Sequence, residues 1–282
     1  MIDLNTVLLI IAALLPAIIL SIYIYKKDRV EKEPLTLLLK LFFFGALICF
    51  PAAYIEEFVI GIIDGIFGEI YEGDSIFYIY NFIYYFIGVA LVEEGVKLLV
   101  LKYTVQYNNN FDCFFDGVIY AVFVSLGFAA LENIFYVLQY GFSNAILRGI
   151  LSVPGHMFFG VMMGYYYSRW MVYKKADAIL KKLKLGGYID SKSVGFEVNN
   201  KEWLVLLIPV LIHGFYDFCC TIDSIFFTLL FLGFITFLYI YCFRKIKRMS
   251  NADEYNNIYA MSLVFKKYPH LKERDIEIDL VV

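Results

Sequence analysis

The chain has 282 residues, of which 61% are hydrophobic and 18% charged, and its mean hydropathy is +0.70. Soluble domains contain about 45–50% apolar residues with glycine included, so this composition excludes a disordered chain, a disulfide-rich secreted mini-protein and an ordinary soluble enzyme. The formal net charge of −3 gives no indication of a nucleic-acid partner, and the chain contains only three histidines.

Seven apolar segments are long enough to cross a membrane as helices. A bilayer core about 30 Å thick requires roughly 20 mostly apolar residues in a helix. Inside lipid every backbone polar group must be satisfied within the protein, which favours helices, and no segment alternates like a barrel strand. We therefore predict an all-α, polytopic membrane helix bundle. Its spans are 7–25, 35–60, 76–101, 113–138, 145–171, 203–222 and 224–243.

The distribution of Lys and Arg predicts the orientation of these spans. A basic stretch from Lys26 to Lys32 follows the first span, which by the positive-inside rule places the N-terminus outside and the C-terminus in the cytoplasm. The loop at 61–75 has acidic residues and no basic ones, as an outer loop should. Of the 24 Lys and Arg, only Arg148 falls toward the predicted outer side.

The polar segments divide the chain into one membrane domain, 1–248, and a polar tail, 249–282, which is predicted to be cytoplasmic. Two interpretations fit the lysine-rich segment 172–202 about equally well. It is either a basic helix on the anionic inner leaflet that ends at Gly186 and Gly187, or a solvated linker. The five cysteines show no paired ligand spacing, so we expect small buried hydrophobic residues.

Four consecutive spans carry ionisable side chains where lipid would otherwise surround them. A charge at the centre of a membrane helix costs about 2.5–3.5 kcal/mol on insertion scales, so such residues usually face a bundle interior and mark a site. Two of the three histidines belong to this set, and one shared site is more economical than four separate ones. The set lies in the core segment 76–222 and comprises Glu93, Glu94 and Lys97 in the third span, Glu132 in the fourth, His156 in the fifth, and His213 and Asp217 in the sixth.

In the third span, Lys97 lies at i,i+4 from Glu93 and at i,i+3 from Glu94, so either carboxylate can reach it. Adjacent helical positions diverge by about 100°, so the two glutamates should differ in role. The alternative, an ion pair that only neutralises one Glu, leaves the second carboxylate unexplained. A second Glu pair, Glu56 and Glu57, has no Lys at this spacing and is predicted to be a solvated span end.

In the fourth span, Phe128 and Tyr136 flank Glu132 on one helix face. The alternative for Glu132 is a position in the outer headgroup region, because it falls late in a helix that runs outward.

If the third span starts near residue 76, Glu93 lies roughly 25 Å from the outer surface at 1.5 Å per residue. Convergence with Glu132 then requires a tilted helix, a third span that starts near Asn81, or a fourth span that begins at the interface.

The fifth and sixth spans each carry a His near the middle. Pro154 and Gly155 loosen the helix before His156, and two later glycines, at 160 and 164, form a small face for close helix contact. His213 and Asp217 share a face at i,i+4, where Asp217 can bind a metal or orient the imidazole. The alternatives are a His that hydrogen-bonds across helices and a buried His–Asp pair without metal.

Two imidazoles and up to four carboxylates, without a thiolate, suit a catalytic zinc site that keeps one position for water. Metal-bound water can be a hydroxide near neutral pH, and a spare carboxylate can move its proton. Hydrolysis is therefore the natural chemistry of this set, although the chain has no HExxH motif.

Four motifs in order carry a resemblance to the PrsW family of intramembrane proteases. They are Glu93-Glu94-x-x-Lys97, Phe128-x-x-x-Glu132-Asn133-x-x-Tyr136, Pro154-Gly155-His156 and His213-Gly-x-Tyr216-Asp217, and the Asp116-Gly117 pair also fits. The resemblance covers about residues 76–220. The family is related to the type II CAAX-prenyl proteases, which have a His where this chain has Glu132, and this difference favours PrsW.

The resemblance implies a protease of the bacterial cytoplasmic membrane that makes the first, extracytoplasmic cut in a single-span anti-sigma factor. As our own hypothesis from the residues, we assign His156 and His213 as metal ligands, Glu132 as the third ligand, and Asp217 as a ligand or orienting group. Glu93 or Glu94 would be the general base, and Lys97 would tune the other carboxylate or stabilise charge on the substrate carbonyl. Zinc is a hypothesis here, and a glutamic mechanism is its alternative.

Two functions from other classes compete with proteolysis. A cation- or proton-coupled transporter also uses Glu, His and Asp inside helices, but it would favour inverted repeats, and the sequence shows no such symmetry. A non-catalytic membrane sensor would use the same residues only for structure.

Overall fold

A computed structural model describes residues 3–190, 195–196 and 201–273. Within these ranges the regular structure is helical, apart from one isolated bridge between Cys113 and Tyr255, so the predicted all-α bundle is confirmed. The helices are α1 Leu4–Lys27, α2 Leu35–Leu47, α3 Cys49–Phe67, α4 Phe77–Ile83, a π-helix Tyr84–Ala90, α5 Leu91–Val105, α6 Asp116–Tyr140, α7 Phe142–Ile150, α8 Ser152–Leu185, α9 Leu204–Thr221, α10 Ile225–Asn251, α11 Asn256–Lys267 and a 3₁₀ turn Pro269–Glu273.

Six helical stretches of the described chain are long and apolar enough to cross a membrane: α1, α2 with α3, α6, α7 with α8, α9 and α10. The predicted third span is helical from Phe77 to Val105, but it consists of α4, the π-helix and α5, and this stretch carries four charged residues. The all-helical bundle is therefore established, whereas the count of seven spans and their orientation stay predictions.

Helix α6 forms the centre of the bundle, because almost every residue from Asp116 to Ala130 is buried. Two close crossings hold it. A Cβ on Gly127 would lie 1.9 Å from the carbonyl oxygen of Phe42 in α2, and one on Gly164 of α8 would lie 2.3 Å from that of Gly117. The predicted small-residue face of the fifth span is thus confirmed, and it brings α8 against α6.

Helix α8 continues beyond the predicted end of the fifth span, so the first part of the lysine-rich segment is an extension of that span. It ends at Leu185, before Gly187 with a positive φ of 73°. Val172, Ala176 and Ile179 pack against Ala260 and Val264 of α11. Part of the predicted tail therefore folds onto α8, whereas Lys192 and residues 274–282 lie outside the described residues.

The cysteines are free thiols, as expected. Cys49, Cys113, Cys219 and Cys242 are buried, but Cys220, in the last turn of α9, is exposed. The prediction of small buried hydrophobic residues is therefore confirmed for four of the five positions.

At one end of the bundle, several carboxyl groups that follow or precede helices are enclosed by protein. Burial raises the pKa of Asp28, and it raises the pKa of Glu33 to about 7 and that of Asp253 to about 6. The hydroxyl of Tyr120 donates a hydrogen bond to Glu33. This end of the molecule is thus acidic inside, although its loops are rich in lysine.

Candidate active site

The seven ionisable residues singled out in the sequence form one network, which we call the polar centre. Its middle is the fully buried Lys97 of α5, whose Nζ lies 2.8 Å from both Glu93 Oε2 and Glu94 Oε1. The same nitrogen lies 3.2 Å from His156 Nδ1 and 4.1 Å from the ring centroid of Phe128. One ammonium therefore joins the two glutamates of α5 to the histidine of α8.

The two histidines connect the remaining carboxylates. His156 Nε2 lies 2.9 Å from Glu132 Oε2 of α6. In α9, His213 Nδ1 lies 3.0 Å from Glu94 Oε1, and its Nε2 lies 3.2 Å from Asp217 Oδ2. The two imidazole centroids are 5.5 Å apart. Four helices that are distant in sequence thus contribute to one network. The sequence predicts this arrangement, because buried charges cost less free energy when they share one site.

The two adjacent glutamates occupy different environments. Glu93 lines a cavity, whereas Glu94 is completely buried behind it and contacts His213 and Lys97. Glu94 Oε2 is buried and has no hydrogen-bond partner. The expectation that the two carboxylates differ in role therefore has a structural basis: one faces the cavity, and the other is enclosed among side chains.

The cavity has a volume of about 670 Å³ and lies near one end of the bundle. Glu132 precedes the end of α6 by about 12 Å, His156 follows the start of α8 by about 6 Å, and His213 precedes the end of α9 by about 12 Å, at 1.5 Å per residue. The cavity also contacts Leu147 of α7, which connects α6 to α8. In the predicted orientation this is the outer end.

Arg148 is a member of the site that the sequence did not assign. Its Nη2 lies 2.9 Å from Glu132 Oε2, and its Nε donates a hydrogen bond of 3.1 Å to Asn133 Oδ1. The guanidinium carbon lies 3.9 Å from the ring centroid of Tyr136. The charge distribution could have identified Arg148, because it is the one Lys or Arg that falls toward the predicted outer side. The contact with His156 and Arg148 also places Glu132 in the site rather than among headgroups.

The solvated span end predicted for Glu56 and Glu57 is wrong for Glu56, and for Glu57 it stays a prediction. Glu57 is exposed, whereas Glu56 is half-buried and lines the cavity. Glu56 shares one face of α3 with Ala53 and Ile60, which line the same cavity. This helical spacing was readable, but it did not indicate which face of α3 turns toward α5.

The π-helix Tyr84–Ala90 ends directly before the two glutamates. Its wider turns rise less per residue than an α-helix, which brings Glu93 closer to the outer end than 1.5 Å per residue allows. Gly214, next to His213, packs on the π-helix so closely that a Cβ would lie 2.7 Å from the ring of Phe86. None of the three geometries expected from the sequence included this distortion.

The donor set fits a metal ion. Two imidazoles and four carboxylates are present, and the partnerless Glu94 Oε2 is a buried oxygen that still requires a positive partner. Within the described ranges, however, the donor atoms that approach within 4.8 Å of one another in this network belong to Glu93, Glu94 and His156. No three of the predicted ligands do so in that part of the chain; these are Glu132, His156, His213 and Asp217.

Comparisons with known proteins identify the relatives of this chain. Residues 33–243 match the family described as "PrsW family intramembrane metalloprotease". The chain is 33% identical over 237 residues to "Protease PrsW" of Oceanobacillus iheyensis, covering 84% of this chain and 94% of that protein. It is 35% identical over 211 residues to that of Geobacillus kaustophilus (74% and 78%) and 31% identical over 247 residues to that of Bacillus subtilis (87% and 97%). No solved structure matches the chain.

Proposed function

The chain belongs to the PrsW family of intramembrane metalloproteases, and we propose from this membership that it makes the first, extracytoplasmic cut in a single-span anti-sigma factor. Its identity as a membrane-embedded protease excludes the transporter and sensor alternatives as the main function. The observation that carries the proposal is the polar centre, a buried ionic network next to a cavity among apolar helices. The cavity lies at the end that the charge distribution assigns to the outside.

The family description implies a metal, for which we propose zinc. His156 and His213 would hold it, with Glu132 as the third ligand and Asp217 as a ligand or orienting group. The competing set is Glu93, Glu94 and His156, whose donor atoms already lie within 4.8 Å of one another. In either set, a bound zinc supplies Lewis acidity and lowers the pKa of a bound water.

Glu93 is our choice for the general base, because it is the glutamate of the pair that lines the cavity. It would take a proton from the attacking water and return it to the leaving amine, a role that typically contributes about 10²–10⁴-fold in rate. Lys97, 2.8 Å from Glu93 Oε2, holds this carboxylate in place. Glu94 positions His213 and Lys97 from behind.

The experiment is co-expression with a tagged single-span anti-sigma factor from the same genome and detection of a shorter product. The variants Glu93→Gln, Glu94→Gln and His213→Ala should lose at least 100-fold of the cleavage while they accumulate normally in the membrane. Glu57→Gln is the matched control, because Glu57 is an exposed member of a Glu pair, and it should cleave like the wild type. Normal cleavage by any of the three site variants would refute the assignment.

Metal analysis of the same purified proteins distinguishes the two ligand sets. If the predicted set is correct, Glu132→Gln and His213→Ala lose bound zinc, and Glu93→Gln keeps it. The opposite pattern identifies the competing set. Activity that survives complete metal removal would demand a glutamic mechanism.

A further inference from the structure

Three carboxylates from distant parts of the chain meet at the end of the bundle that lies away from the polar centre. Asp28 ends α1, Asp116 begins α6 and Asp253 follows α10. One carboxylate oxygen of each lies within 4.8 Å of the other two, and we call this cluster the acidic junction. Along α6, Asp116 and Glu132 are about 24 Å apart at 1.5 Å per residue, so the junction is separate from the active site.

The acidic junction is largely enclosed and has no direct ion pair among the described residues. Asp28 is 2% exposed and Asp116 is 1% exposed, whereas Asp253 is partly exposed. Within the described ranges, no Lys or Arg side chain forms an ion pair with any of the three carboxylates. The ammonium of the nearby Lys32 donates instead to the backbone oxygens of Tyr25 and Asp28. Three carboxyl groups therefore converge without a direct ion pair in this part of the chain, although Lys32 lies near Asp28 and Lys175 lies near Asp116.

Backbone hydrogen bonds orient the carboxylates and leave some of their oxygens free. Asp28 Oδ2 accepts from the Glu33 N–H at 3.0 Å, and Asp253 Oδ1 accepts from the Phe115 N–H at 2.9 Å. The second oxygens, Asp28 Oδ1 and Asp253 Oδ2, are buried and have no hydrogen-bond partner in the described structure. A buried polar atom without a partner is uncommon in native proteins, and a bound ion is one arrangement that satisfies it.

The chemistry of these ligands selects a hard cation. Ca²⁺ takes about six to eight oxygen ligands in a flexible geometry, and carboxylate oxygens within 4.8 Å of one another can share one such ion. Mg²⁺ demands a near-octahedral geometry and usually keeps several of its waters, which a largely buried cluster of carboxylates accommodates poorly. The absence of His from the junction also separates it from a zinc-type site.

We propose that a divalent cation, Ca²⁺ in preference to Mg²⁺, binds at the acidic junction and ties the ends of α1, α6 and α10 together. The ion would neutralise carboxylates that are otherwise buried beside one another. Because α6 carries Glu132 at its other end, a cation here would also hold the central helix in register with its neighbours.

The test uses the full-length protein in detergent after treatment with EDTA, with Ca²⁺ or Mg²⁺ as the added probe. Ca²⁺ should bind saturably and raise the Tm by about 5 °C at a hundred times its Kd, and Mg²⁺ should bind at least 10-fold more weakly. Asp253→Asn keeps the acceptor for the Phe115 N–H but removes a charge, so it should weaken Ca²⁺ binding at least 10-fold. The matched control is Asp223→Asn, at an exposed position next to a helix end, which should respond like the wild type.

Two further variants keep the result decisive. Glu93→Gln should keep the full Ca²⁺ response, because the polar centre is not the site, and Asp28→Asn replaces Asp253→Asn if the latter does not fold. A wild-type protein that takes up less than one Ca²⁺ per chain overturns the proposal. An unchanged Ca²⁺ affinity in the junction variant also overturns it. A third such outcome is a wild-type Tm that does not respond to Ca²⁺ together with a higher Tm in the junction variant, which would mean that the carboxyl groups share protons instead.

Discussion

Charge compensation around individual side chains explains how an ionic site persists among apolar helices. Lys97 contacts two carboxylates, Glu132 contacts His156 and Arg148, and His213 lies between two further carboxylates. Removing one partner of a buried ion pair typically costs about 3–5 kcal/mol, because the other charge stays buried without compensation. Each member of the polar centre therefore depends on its neighbours for stability as well as for chemistry.

Arg148 is predicted to be a positioning residue for Glu132. Arg148→Gln removes the cation from Glu132 and the bond to Asn133, and changes of this kind around a metal ligand commonly cost about 10–100-fold in activity or metal affinity. Arg148→Lys restores the charge but not the planar stacking on Tyr136, so cleavage should be intermediate. Cleavage rate and bound metal are measured together.

The control for this prediction is Arg169→Gln, a change further along α8 that should leave cleavage and metal content unchanged. A purely structural role for Arg148 would lower the Tm equally in both Arg148 variants without the graded recovery of metal binding by Lys. Wild-type cleavage by Arg148→Gln would contradict the prediction.

At the level of helices, close crossings and one distortion set the geometry of the site. Glycines let α8 and α2 approach the backbone of α6, which fixes the separation of Glu132 from His156. The π-helix changes the rise of the third span shortly before Glu93. The side chains of the site are therefore held by helices whose spacing depends on the absence of a Cβ at a few positions.

Gly164→Ala should separate α8 from α6, because the new Cβ would lie 2.3 Å from a backbone oxygen that cannot move alone. We expect a loss of about 1–3 kcal/mol in stability from this overpacking, together with at least a 10-fold loss of cleavage. Thermal unfolding in detergent and the cleavage assay provide the two measurements. Gly233→Ala is the matched control, since its Cβ would meet no atom within 4 Å. Equal behaviour of the two variants would show that the crossing tolerates a methyl group.

Across the whole molecule, the two ends of the bundle are chemically different. The cavity of the polar centre lies near one end, and the acidic junction lies at the other, next to lysine-rich loops. Helix α11 packs on the extension of α8 at the junction end through Val172, Ala176 and Val264. The predicted orientation places the cavity outside and α11 in the cytoplasm.

Cysteine labelling of intact cells tests this orientation. In a Cys220→Ser background, a membrane-impermeant maleimide should label Glu72→Cys in intact cells and Lys266→Cys only after permeabilisation, because both positions are exposed but lie in segments predicted on opposite sides. The Cys220→Ser parent is the control for the buried native thiols. Labelling of Lys266→Cys in intact cells would reverse the topology and, with it, the extracytoplasmic cut.

The sequence was sufficient for features that depend on single residues and their local spacing. The energy of placing an apolar or charged side chain in lipid belongs largely to that side chain, so the all-helical bundle and the seven residues of the polar centre could be predicted from runs and spacings. The predicted fourth ligand, Asp217, and the lysine of the third span lie in the same network for the same reason.

Tertiary structure decided what depends on how the helices are rotated, bent and crossed. It determined that Glu93 rather than Glu94 faces the cavity, that Glu56 and Arg148 join the site, and that a π-helix adjusts the third span. It also brought together Asp28 and Asp253, which are more than 200 residues apart in sequence. Such contacts depend on the packing of several helices at once, and the periodicity of one helix gives no information about which neighbour its face will meet.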